Sequence, residues 1–139
     1  MINLPMAVYS RIKTLAGGGK KVTASFNLTP ADEDLPYRTF NQLSGSPVEY
    51  SSDQDEATET VTIAVHVYAH DAVWVYEDLA RIEKSFVSTT LSLDEGSVIL
   101  TEPGSHTVDL DPDRDDETGK EVYHGVLLTD FTVQRRIKT

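Results

Sequence analysis

The chain has no cysteine, which excludes disulfides, thiolate catalysis and every zinc site built on cysteine ligands. Basic residues are scarce: 12 Lys and Arg stand against 23 Asp and Glu, for a formal charge of −11. Such a surface repels phosphate and is a poor grip on nucleic acid, although it leaves nucleic acid free to pass nearby without sticking. No window approaches the roughly 18 to 20 consecutive apolar residues of a membrane helix, so no membrane span is expected. The opening Met1-Ile2-Asn3-Leu4-Pro5 places no basic residue ahead of an apolar stretch and does not read as a secretory signal. Against these absences stand 139 residues, 39% of them hydrophobic, which is enough apolar material for the core of one domain.

Val8, Ile12 and Leu15 fall at i, i+4 and i+7 and predict a short helix over 7–15, ended by Gly17-Gly18-Gly19. The glycines follow a helix and lack the G-x-x-x-x-G-K-[ST] spacing, so they do not form a phosphate loop. Lys21–Leu28 alternates as a half-buried strand, Pro36–Phe40 reads as a short strand, Asn41–Pro47 as loop, and Val48–Tyr50 as an edge strand. The strongest strand is Glu59–Tyr68, with Val61, Ile63, Val65 and Val67 on one face. Asp71 is placed to cap a helix over 72–88, whose buried stripe is Val75, Leu79, Ile82 and Phe86. Glu77, Asp78, Arg81 and Lys84 are expected on its solvent face. A hairpin is predicted around Glu102-Pro103-Gly104-Ser105, then an acidic loop over 109–119 and a central strand over 122–134. The expected fold is α+β: one domain over 1–139, an antiparallel or mixed sheet, one long helix on a face and a short N-terminal helix.

The chemical candidates are weak. Asp109-Leu110-Asp111-Pro112-Asp113 imitates a calcium loop, but Arg114 replaces the required glycine and Lys120 the bidentate glutamate. A histidine-based metal site would need three of His66, His70, His106 and His124 to converge. No nucleophile elbow occurs, and the carboxylates cluster in polar loops. The sequence therefore predicts no enzyme, no cofactor and no metal. Two roles fit Trp74, which lies off the buried stripe: an exposed anchor for a partner, or a cover for the sheet edge.

Three segments, in this order and spacing, carry a resemblance: Leu35-Pro36-Tyr37-Arg38-Thr39-Phe40, the strand Thr60–Tyr68 running into Ala72–Phe86, and Arg114–Phe131. The chain resembles the tail-terminator or tail-completion proteins of long-tailed bacteriophages and prophages. It departs from their pattern in the triple glycine and in the acidity of Asp109–Glu117. The resemblance implies a virion structural protein of the tail or neck, assembled in the bacterial cytoplasm as a homo-oligomeric ring, usually a hexamer. Its implied partners are the tail-tube protein and the head–tail connector, with genome DNA passing through the opening.

On that reading Asp109, Asp111, Asp113, Asp115 and Asp116 of the acidic loop, Trp74, and the basic Arg135, Arg136 and Lys138 are candidate subunit or partner contacts. The basic end either pairs with a neighbour's acidic loop or stays solvated. A head-completion or connector protein, and a small-molecule or metal-binding module using His66, His106 and His124 on one face, are the alternatives.

Overall fold

The computed structural model describes residues 4–25, 35–45, 48–50, 56–94, 96–109, 113–114 and 121–136. In chain order these form α1 (Leu4–Thr14), β1 (Thr23–Ser25), β2 (Tyr37–Gly45), β3 (Glu49–Tyr50), β4 (Glu56–Ala69), α2 (Ala72–Ser88), β5 (Ser97–Val108), β6 (Asp113–Arg114) and β7 (Glu121–Arg136). The sheet runs β1-β2-β4-β7-β5, with β3 on β4 and β6 on β7. The β1–β2 pair is parallel and the other pairs are antiparallel, so the sheet is mixed, and the expected α+β class is found.

The backbone of the sheet is the pairing of β4 with β7, in unbroken register from Glu56↔Arg136 to Ala69↔Tyr123. Alternation sends Val61, Ile63, Val65 and Val67 from β4, and Leu127, Phe131 and Val133 from β7, into one buried layer. Both helices cover that layer, α1 over β1 and β2, and α2 over β4, β7 and β5. α2 begins where predicted, because the Asp71 side chain accepts a hydrogen bond from the Val73 N–H at 3.0 Å. Val75, Leu79, Ile82 and Phe86 are buried as their spacing requires, and Phe86 meets Phe131 edge to face at 5.2 Å. Gly125 lets the helix lie this close: a Cβ there would stand 2.6 Å from Val75 Cγ1 and 2.8 Å from Leu79 Cδ1.

Four expectations need correction. α1 spans Leu4–Thr14 rather than 7–15, with Pro5 in the first turn, where its missing N–H costs nothing. β2 continues through Gly45, where a loop was expected; an irregularity between Gln42 and Ser44 absorbs the exposed Leu43. The predicted hairpin at 102–105 does not form. Instead β5 is one strand, and a register shift between Pro103 and His106 takes up the Pro-Gly step against β7. As the last strand of the path, β5 tolerates a proline. The strand expected over 21–28 is described only as the short β1, and Phe26–Leu28 lie outside the described residues.

Asp78 is the fourth correction. It is not on a solvent face, because α2 buries two adjacent rows. One row lies on the sheet; the other, containing Trp74 and Asp78, lies against α1 and the turn that follows it.

Candidate functional site

Arg38 projects from β2 between the two helices and is 0% exposed. Its Nε donates to Asp78 Oδ2 at 2.7 Å and its Nη2 to Asp78 Oδ1 at 2.5 Å, a bidentate pair. Its remaining N–H groups donate to the carbonyls of Ile12 (2.9 Å), Leu15 (2.7 Å) and Ala16 (3.3 Å). Those carbonyls include the unpaired C-terminal ones of α1, so one guanidinium ties the helix end to the sheet and to α2. Arg81 adds a second donor to Asp78 at 3.1 Å. Arg11 Nη1 donates to the Ser85 carbonyl at 2.5 Å, which together with the Trp74 contact sets α1 antiparallel to α2.

Trp74 belongs to this arrangement, and the expectation of an exposed anchor is corrected. The side chain is 5% exposed and donates from Nε1 to the Gly17 carbonyl at 3.0 Å. The Lys20 ammonium and the Arg81 guanidinium lie 5.7 and 5.3 Å from its ring. Gly18, at φ 65°, and Gly19, at φ 93°, make the turn that brings Gly17 under the indole.

On the sheet face away from the helices, His66 and His124 come together. Asn41 Oδ1 lies 2.6 Å from His66 Nε2, so that nitrogen carries the proton and donates. His66 Nδ1 then accepts from His124 Nε2–H at 2.8 Å. Tyr68 stacks on His124 at 4.4 Å, and Tyr37 meets Tyr68 edge-on at 6.5 Å. Burial, and then the neighbouring His124, hold the His66 pKa below the usual histidine value.

His106 does not join this cluster. It points to the helix side, with Nε2 3.3 Å from Glu83 Oε2, and His70 contacts the Glu121 carbonyl at 2.9 Å. The three histidines of the metal-module alternative therefore lie on two faces. No cluster of three or more metal-ligating side chains occurs among the described residues.

The acidic and basic candidates are separated. Asp109 is exposed at the end of β5, with its N–H bonded to the His124 carbonyl at 2.9 Å, and Asp113 in β6 pairs with Val122. Arg135 and Arg136 close β7, opposite Ala57 and Glu56. With Asp109 at His124 and Asp113 opposite Val122, β7 holds Arg135 away from them by roughly 36–43 Å at about 3.3 Å per residue, so they do not pair within one chain. Asp111, Asp115, Asp116 and Lys138 lie outside the described residues.

The sequence reading missed an exposed apolar surface. Val73 (64% exposed) and Tyr76 on α2 face solvent, and Val87 (59% exposed) continues onto Ile99 and Leu100 of β5. Phe86, Val98 and Thr101 complete a shallow groove of about 180 Å³ there. Its sequence signal was the spacing of Val73, Tyr76, Ala80 and Val87, a second apolar row on α2. No helix is long and apolar enough to cross a membrane among the described residues.

No family model matches the chain, and no curated protein matches it. Among solved structures, it is similar to a chain of the virion of a native gene transfer agent particle. The two share 17% sequence identity at a TM-score of 0.66, over 94% of each chain. At that identity the likeness is one of fold.

Proposed function

We propose that this chain is a non-enzymatic virion protein that terminates a phage tail tube. Copies form a closed ring, six by the family resemblance, on the last ring of the tube. The far side of that ring receives the head–tail connector, and the genome passes through the opening without specific binding. The observation that carries this reading is the fold shared with a virion chain over 94% of both molecules, in a sequence whose segment order resembles tail terminators.

Two further features support it. A charge of −11 per subunit suits a ring through which DNA must slide, since phosphate is repelled from it. The two ends of β7 are also chemically unlike. In the sequence β7 is preceded by the acidic stretch from Asp109 to Asp116, and it closes on Arg135 and Arg136, with Lys138 following. A ring whose axial faces meet two different partners needs such a difference, and these residues are the proposed partner contacts.

Co-sedimentation tests the reading. Incubated separately with assembled tail tubes and with the connector-bearing neck, the chain is expected to pellet with tubes in the absence of any neck protein. Binding to the neck alone would replace the terminator with a head-completion protein.

A further inference from the structure

Three polar side chains cross the helix-free face of the sheet in one line. Asn41 on β2, His66 on β4 and His124 on β7 belong to three adjacent strands, and two hydrogen bonds join them. His66 Nε2–H donates to Asn41 Oδ1 at 2.6 Å, and His124 Nε2–H donates to His66 Nδ1 at 2.8 Å. Both bonds run in one direction, so His66 must stay neutral to accept the second. Tyr68 stacks on His124 with centroids 4.4 Å apart and planes 3° from parallel, and the two imidazoles stack at 5.0 Å.

The two histidines differ in what a proton does to this arrangement. A proton added to His124 enters at Nδ1 and leaves Nε2–H donating, so both bonds survive and the central one becomes charge-assisted. The Tyr68 ring lies within cation–π range of that charge. His66 has no such freedom: its Nε2 already carries a proton, and a second must go to Nδ1, the atom that accepts from His124. Two N–H groups would then point at each other, and two imidazolium rings would repel across 5.0 Å. Burial, and then His124, already hold the His66 pKa down. Among the described residues, the other titratable or charged groups around the pair are Tyr37 on β2, Tyr68 and His70 on β4, Asp109 after β5, and Asp113 and Arg114 on β6. Both of these acids neighbour β7, so their field favours a cation on His124 over one on His66.

The closed arrangement also leaves one group unsatisfied. Thr39 stands opposite His66 in the β2–β4 register, is fully buried, and its hydroxyl has no hydrogen-bond partner among the described residues. Parting of the rings beside it gives water access to that hydroxyl. We propose that Asn41, His66 and His124 form an acid-operated latch across β2, β4 and β7, which a first proton tightens and a second opens. Opening separates the imidazoles, releases His124 from Tyr68 and hydrates Thr39, while the helix-side core of Val65, Val67 and Leu127 stays packed. The latch does not depend on the ring reading above.

The test is an NMR titration of the imidazole nitrogens in the isotope-labelled full chain, from neutral to mildly acidic pH. His66→Gln and His124→Gln assign the two signals, and His70 and His106 serve as internal references. At neutral pH His66 is expected as the Nε2–H tautomer. The first proton is expected on His124, and His66 is expected to require at least about ten-fold more acid for the second. Overhauser contacts between Tyr68 and His124 are expected to persist through the first step and vanish with the second. In His124→Gln the repulsion is gone, so His66 is expected to gain its proton at higher pH than in the wild type.

An Nδ1–H tautomer at His66, or protonation of His66 at the same pH as His124 or before it, would overturn the latch. So would loss of the Tyr68 contacts at the first step, or a His66 that titrates unchanged in His124→Gln. Global unfolding together with the second step, read from collapse of the methyl dispersion, would overturn it as well, since opening leaves the helix side packed. Should a variant fail to fold, the tautomer, the order of the steps and the Tyr68 contacts of the wild type decide alone.

Discussion

Arg38 Nε lies 2.7 Å from Asp78 Oδ2, and this fully buried pair joins a strand to a helix 40 residues later in the chain. Removing one partner strands a charge in the core, which costs about 3–5 kcal/mol. Asp78→Asn and Arg38→Met are each expected to lose that much in urea unfolding with an unchanged slope. Arg38→Met/Asp78→Leu is expected to lose less than the sum. It still falls short of the wild type, because the carbonyls of Ile12, Leu15 and Ala16 lose their donor. Additive losses would show that the pair is not coupled.

Trp74→Phe deletes the bond to the Gly17 carbonyl and is expected to cost about 1–3 kcal/mol. Because Trp74 is buried, self-association of the folded variant should be unchanged. A variant that is stable but fails to assemble would restore the partner-anchor reading that the structure overturns.

Gly125→Ala forces a methyl against Val75 and Leu79 of α2. Overpacking of this kind costs about 1–3 kcal/mol, read as a lowered thermal midpoint. An unchanged midpoint would mean that α2 sits further from β7 than described.

His66 predicts a pH dependence. Its folded pKa is lowered by burial and by His124, so the unfolded chain binds a proton more readily. The stability it contributes is complete above the ordinary histidine value of about 6.5. It is lost as pH falls from there through the lowered folded value. Unfolding free energies measured from neutral to mildly acidic pH should decline on that side, and His66→Gln should flatten the decline. A slope unaffected by His66→Gln would assign the dependence elsewhere.

Much of the fold was legible because its signals are local. The α2 boundaries follow from the Asp71 cap and the apolar row of Val75, Leu79, Ile82 and Phe86. The central strand followed from β-branched alternation between Val61 and Val67. What escaped depends on residues distant in sequence. A charged residue one place from an apolar row reads as solvated, and nothing local announces that Asp78 has Arg38 as its partner. Trp74 was misplaced for the same reason: the second buried row of α2 exists only because α1 lies beside it. At 102–105 the turn chemistry was real, but on an edge strand a bulge satisfied it as well as a reversal would. For the site, the acidic stretch and basic end were visible as charge. Their separation along β7 required the strand register.

The central claim is that this chain stops a tail tube from growing. The most direct measurement is the length distribution of tubes, by electron microscopy, polymerised from the cognate tail-tube protein with increasing amounts of this chain. The account predicts that tubes shorten as the chain is added and that one end of each carries a ring-shaped cap. Tubes of unchanged length with bare ends, at saturating concentrations of folded protein, would contradict it.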